Sequence, residues 1–152
     1  MNKSTKEQAP DRKALLSTIW IFAVLNYLYC DLLSLMDANT LRQYLTGTVG
    51  GLQFTEGFLL GAGILMEISM AMVLLSRVLP TRANRLANIA AGMIMITVQI
   101  GTLLMGHATL YYWFFSIIEI AATSLIVWVA STWRSPRTTA NIEQSVLMPE
   151  RA

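Results

Sequence analysis

Four long apolar stretches separated by short polar ones set the pattern of this chain. Ala14–Met36 is interrupted by a single charge, Asp31; Gly57–Leu79 contains Glu67 and, near its end, Arg77; Leu86–Met105 has no charge; Thr109–Trp133 has only Glu119. A bilayer core of ~30 Å needs about 20 mostly apolar residues in helical form, and each stretch is that long. Soluble helices of this length would carry a polar outer face, which these lack. The stretches are continuous and do not alternate as transmembrane β-strands do. The pattern therefore predicts an all-α, integral membrane four-helix bundle with spans 14–36, 57–79, 86–105 and 109–133, a preceding tail 1–13 and a following tail 134–152. The first span is too long for a signal-peptide core and no small-x-small cleavage site follows it, so it is expected to be retained.

Pro80 should end the second span, because proline lacks the N–H and restricts the residue before it. The segment Asp37–Glu56 is long for a bundle connection. Its Leu41, Tyr44, Leu45 and Leu52 have helical spacing, and Gly47, Gly50 and Gly51 would interrupt a helix. Two readings stand: a short surface-lying segment capping one mouth of the bundle, or an ordinary exposed loop.

Composition narrows the class. The chain is 55% hydrophobic and 13% charged, with mean hydropathy +0.52, where a soluble domain has about 25% charged residues. Disorder, a coiled coil and a nucleic-acid-binding module are excluded. The net charge of +2 matters less than its distribution. Lys3, Lys6, Arg12 and Lys13 precede span one. Arg77, Arg82 and Arg85 flank the second connection, and Arg134, Arg137 and Arg151 follow the last span. Only Arg42 falls on the other side. Positive charge marks the cytoplasmic side, so both termini are expected inside (N-in/C-in) in a cell inner membrane. Trp20, Trp128 and Trp133 toward the inside, and Tyr44, Tyr111, Tyr112 and Trp113 toward the outside, fit an aromatic belt.

Polar groups within the spans are the candidates for function, because a charge at bilayer depth costs ~2.5–3.5 kcal/mol on insertion scales. Helical phase groups them. Trp20, Val24, Tyr27 and Asp31 share a face of span one. Glu56, Leu60, Gly63, Glu67 and Met70 share one of span two. Asn88, Gly92, Met95, Gln99 and Thr102 share one of span three, and Tyr112, Ser116, Glu119 and Thr123 one of span four. These stripes are expected to meet on the bundle axis. At 1.5 Å per residue, Glu67 and Glu119 both come near ~15 Å depth, with Asn26 at a similar level. The expected picture is a polar funnel narrowing to a Glu67–Glu119 layer, above an almost purely apolar cytoplasmic half. No basic residue lies at that level, so at least one of the two acids is expected to hold its proton. Gly57 and Gly61 form GxxxG, which suits close helix packing within the chain or dimerisation.

Several chemistries drop out. The single cysteine, Cys30, excludes paired-cysteine disulfide chemistry, and the single histidine, His107, excludes bis-histidine haem ligation. His107, Asp31 and Glu56 do not form a recognised metal motif, so no metal is expected. No phosphate loop or nucleophile motif is present, and no cofactor is expected.

At Gly63–Ile96 the chain resembles the DoxX-like superfamily of small four-span bacterial membrane proteins. The shared features are Glu67 in span two, Leu74–Leu75, a turn with Thr81–Arg82, and the small residues Ala87–Gly92. The Arg and Gly common early in that family's first span are absent from Leu16–Val24. The whole chain is also similar to an uncharacterised bacterial family opening with an LLSTIWIFAVLNYLYCD type of span. The DoxX-like resemblance implies an accessory membrane role, in some members within quinone-linked or redox-stress assemblies, and singles out Glu67.

The leading expectation is a non-enzymatic protein that binds a small lipophilic or quinone-like molecule among Asn26, Tyr27, Asp31, Glu67, Gln99 and Glu119. The alternatives are a proton-coupled small-molecule exporter and a non-catalytic subunit of a membrane redox assembly. The partners expected are the lipid bilayer and the ligand, with a second copy or partner subunit in the assembly reading, and no nucleic acid.

Overall fold

A computed structural model describes residues 11–105 and 109–133. His107 and most of the two tails lie outside the described residues. Four helices are long and apolar enough to cross a membrane. They are α1 (Arg12–Met36), α3 (Glu56–Val78), α4 (Thr81–Met105) and α5 (Leu110–Ser131), with a short α2 (Ala38–Leu45) after α1. A two-stranded hairpin, β1 (Thr48–Val49) and β2 (Leu52–Gln53), separates α2 from α3.

The long helices lie in the order α3, α1, α5, α4, and the contact of α3 with α4 that closes the ring is the sparsest. The end carrying α2 and the hairpin is termed the capped end, and the end carrying the α3–α4 connection the turn end. Helices α1, α3 and α5 begin and end within two residues of the apolar stretches 14–36, 57–79 and 109–133, while α4 begins five residues before the stretch 86–105. Helix α4 starts at Thr81, directly after Pro80, so Arg82 and Arg85 lie on its first turns and not in a loop. Proline suits the entry to a helix because its missing N–H would be unsatisfied there anyway. It also forces the preceding residue out of helical conformation, and Leu79 is extended (φ −62°, ψ 144°).

The capping segment forms as one of the two readings anticipated. Asp37 caps α2 by accepting from the backbone N–H of Thr40 at 2.9 Å, a normal N-cap bond. Leu52 belongs to β2 and not to the helix. Gly47 (φ +74°) follows the C-cap of α2, and Gly50 (φ +57°) with Gly51 (φ +88°) forms the hairpin turn. Two consecutive positive φ values favour a Gly-Gly pair in a two-residue hairpin.

The turn end is bound by polar contacts. Lys13 Nζ donates to Leu79 O at 2.7 Å, and an Arg12 guanidinium nitrogen donates to Val129 O at 3.5 Å. Cations at the last carbonyls of α3 and α5 complement the negative ends of those helices. Between them the core is not apolar, contrary to expectation. Asn84, Asn88 and Ser76 are fully buried. Asn84 donates to Ser76 O, Asn88 Nδ2 donates to Asn84 Oδ1, and Asn88 Oδ1 accepts from both Ser76 Oγ and Trp20 Nε1. Trp20 is wholly buried, so it is a core residue and not an interfacial anchor. Trp128, 62% exposed, retains the surface position expected of a belt residue.

Candidate functional site

The four stripes do not all converge. On α4, Asn88, Gly92 and Met95 are buried, and on α5 so are Ser116, Glu119 and Thr123. On α1, Trp20 and Tyr27 are buried. Helix α3 presents the opposite face. Its buried residues are Ser69, Met72 and Ser76. The stripe expected on the axis, Glu56, Leu60, Gly63, Glu67 and Met70, is exposed along its whole length. At 100° per residue the two faces lie on opposite sides of the helix. The Glu67–Glu119 layer therefore does not form, and the acid within electrostatic reach of Glu119 is Asp31. Serine at 69 and 76 lets α3 approach its neighbouring helices closely, Ser76 bonding Asn88 of α4, which two glutamates would prevent. Small side chains set packing faces where burial of apolar surface gives no direction. Ser17 Oγ on α1 donates to Val73 O of α3 at 2.9 Å. Among the described residues, no other helix packs against the glycines of α3. A Cβ at Gly61 or Gly63 would meet nothing within 4 Å. By contrast, a Cβ on Gly92 of α4 would lie 2.6 Å from Val127 Cγ2 of α5.

The chemistry-bearing groups gather instead between α1, α4 and α5 toward the capped end. Glu119 is 2% exposed and its Oε1 has no hydrogen-bond partner among the described residues. The Tyr27 hydroxyl is also buried without a partner, and lies within electrostatic reach of Glu119. Gln99 Nε2 donates to Ser116 Oγ at 2.7 Å, which joins α4 to α5 one turn above Glu119. Asn26 stands aside, its amide donating to Phe22 O of its own helix at 2.9 Å. Of the six residues singled out from sequence, Tyr27, Asp31, Gln99 and Glu119 share this region. Asn26 turns to its own backbone, and Glu67 faces outward.

Above this cluster is a cavity of about 420 Å³, within the ~300–1,000 Å³ usual for small-molecule sites. Asp31 and Ser34 of α1, Tyr44 of α2, Phe58 of α3, Thr102 of α4 and Tyr112 of α5 all contribute to its wall. Val49, Gly50 and Leu52 of the hairpin complete it, so the capping segment is part of the site. Tyr44, Phe54 and Phe58 stack in series, with ring centroids 5.5 and 5.2 Å apart. Burial, and after it the charge of Asp31, push the Tyr44 phenol up from its ordinary pKa.

Tyr44 and Tyr111 stood out in the sequence as belt aromatics and not as site residues, and Ser34, Phe54 and Phe58 did not stand out. A signal was available for two of them. Ser34 follows Asp31 by three residues on one face of α1, and Tyr111 begins α5 beside Tyr112.

Residues 4–140 match a family of unknown function, DUF6326. The chain belongs to that family. No curated protein and no solved structure matches it. The family carries no assigned activity, so the functional reading rests on the site itself.

Proposed function

We propose that this chain is a multi-pass protein of a bacterial inner membrane, with both termini cytoplasmic, that binds a small lipophilic or amphipathic molecule at its capped end. The membrane reading is supported by four apolar helices and by large exposed side chains such as Leu28, Leu60, Ile117 and Trp128 around the bundle. The orientation rests on the distribution of Lys and Arg. The observation that carries the binding reading is the aromatic-walled cavity of about 420 Å³ with Asp31 in its wall. Buried polar groups are normally paired, and two without a partner among the described residues, Tyr27 and Glu119, are linked electrostatically to each other and, through Glu119, to Asp31 in the wall.

The test is native mass spectrometry of the full chain, extracted gently from its own membrane, beside Asp31→Asn and Glu119→Gln. A defined small molecule on the wild type, diminished on Asp31→Asn, is the expected result. A bare chain in all three samples overturns the reading.

A second reading, a non-catalytic subunit of a membrane assembly, is favoured by one observation. The Gly57–Gly61 edge of α3 and the stripe through Glu67 are both exposed, with no described residue packed on Gly61. Disulfide capture from Gly61→Cys in a Cys30→Ser background tests it in native membranes. The exporter reading, in which Glu67 or Glu119 alternates between proton and cation, would rest on Glu119, since Glu67 is exposed on α3. The DoxX-like resemblance remains a proposal of kinship centred on Glu67, and adds no reaction.

A further inference from the structure

The cavity's polar groups differ sharply in what they have left to offer a ligand. The Tyr111 hydroxyl donates to Ser34 Oγ at 3.4 Å, and Ser34 donates on to Cys30 O at 2.9 Å. The Tyr112 hydroxyl donates to Thr102 Oγ1 at 2.9 Å, and Thr102 donates on to Gln99 O at 2.9 Å. Thr40 Oγ1 donates to Asp37 at 2.7 Å. Each of these protons is engaged by another protein group. The donors left over are the Tyr44 hydroxyl, which makes no hydrogen bond among the described residues, the Gln43 amide, whose Oε1 accepts from Gly50 N at 3.1 Å, and the Thr109 hydroxyl, buried without a partner among the described residues.

Acceptor capacity runs the other way. Asp31 is the one charged residue among the described residues of the wall. Asp31 is exposed and lines the cavity, and its carboxylate makes no hydrogen bond or ion pair among the described residues. The ionisable group electrostatically linked to it from below, Glu119, is acidic as well. Aromatic rings from α2, the hairpin and α3 stack along one part of the wall, and Tyr111 and Tyr112 of α5 contribute another. Ring faces attract cations within ~6 Å of the centroid, more strongly where water is excluded.

We infer that the molecule held here carries a cationic head group, an amphipathic amine or quaternary ammonium, with Asp31 as counter-ion and the aromatic wall around it. The inference rests on the binding reading above and names its ligand class. A quinone-like head group offers carbonyl acceptors, and of the wall's hydroxyls only those of Tyr44 and Thr109 are not already donating to another protein group. An anionic head group would face Asp31 with no basic residue among the described wall to offset it. A cation meets a carboxylate and ring faces, and needs no donor from the protein.

The experiment uses the full chain in lipid nanodiscs and three probes with the same tail: hexyltrimethylammonium, hexanol and hexyl sulfate. Saturable binding is read by ligand-observed NMR. The expected result is saturation by the ammonium probe alone, weakened roughly tenfold or more in Asp31→Asn and restored in Asp31→Glu. Saturation by hexanol or hexyl sulfate as strong as by the ammonium probe overturns the head-group inference and leaves the binding reading standing. If none of the three saturates and no native ligand is found by mass spectrometry, both fall. The comparison among probes on the wild type stands even if a variant fails to fold.

Discussion

The indole N–H of Trp20 donates to the side-chain oxygen of Asn88 at 2.8 Å across the bundle diagonal, from α1 to α4. The same oxygen accepts from Ser76 on α3 at 3.2 Å. One buried amide thus ties three helices together at the turn end. Removing it leaves two buried donors without a partner, each at a cost of roughly 1–3 kcal/mol. Asn88→Ala should therefore lower the melting temperature substantially. Ser76→Ala should cost less, because Asn88 keeps its bond to Trp20. Thermal unfolding followed by fluorescence-detected size exclusion reads both. Equal losses would argue against a shared acceptor.

Gly92 and Gly61 offer a matched pair. A methyl at Gly92 meets Val127 Cγ2 at 2.6 Å, with Thr123 O at 3.5 Å behind. Val127 is β-branched and stiff, so it cannot easily turn away. Gly92→Ala should destabilise by about 1–3 kcal/mol, the usual cost of overpacking. At Gly61 nothing lies within 4 Å. Gly61→Ala should be neutral or stabilising, by up to about 1 kcal/mol, through helix propensity. A large loss at Gly61 in the membrane would place a partner helix on that edge.

Glu67 and Glu119 should part company. Glu67 is exposed on the outward face of α3, and Glu67→Leu should leave both the melting temperature and ligand occupancy unchanged. Glu119 is buried beside Tyr27. Glu119→Ala should open a cavity at that point and lower stability by a few kcal/mol, at about the cost of other large-to-small core changes. Loss of occupancy in Glu67→Leu would restore the acid layer expected from the sequence.

The cap of α2 carries a pH signature. The Thr40 hydroxyl, then the Thr40 backbone N–H, hold the Asp37 carboxyl below its ordinary pKa. A depressed acid contributes stability above its unfolded value, near ~3.9, and loses it as pH falls through the lower folded value. Amide exchange in α2 should therefore accelerate below about pH 4. Asp37→Asn keeps a capping side chain but should abolish that pH dependence. Exchange that is insensitive to pH in the wild type would refute the assignment.

The architecture was legible because its cause is local. Runs of about 20 apolar residues, ended by Pro80 or by polar segments, determine where long helices lie. Helix orientation about its own axis was legible on α4 and α5. There the polar and small residues fall on one stripe, as with Ser116, Glu119 and Thr123. On α3 two stripes compete, one with Glu56 and Glu67 and one with Ser69 and Ser76. The serines took the packed face because they let backbones approach, a tertiary effect that periodicity does not carry. The site was half legible for a related reason. Asp31 and Glu119 announce themselves as charges in apolar runs. Tyr44, Phe54 and Phe58 become wall residues only once the hairpin at Gly50–Gly51 folds them over the bundle.

The two ends of the bundle divide their polar groups unequally. At the turn end, Asn84, Asn88 and Ser76 satisfy one another. At the capped end, Tyr27 and Glu119 are left wanting. In a random-mutagenesis screen this should separate alleles by position. Temperature-sensitive alleles, rescued by growth in the cold, should map around Asn88. Alleles that keep normal protein levels yet lose the phenotype should map around Asp31, and second-site suppressors should rarely cross from one group to the other.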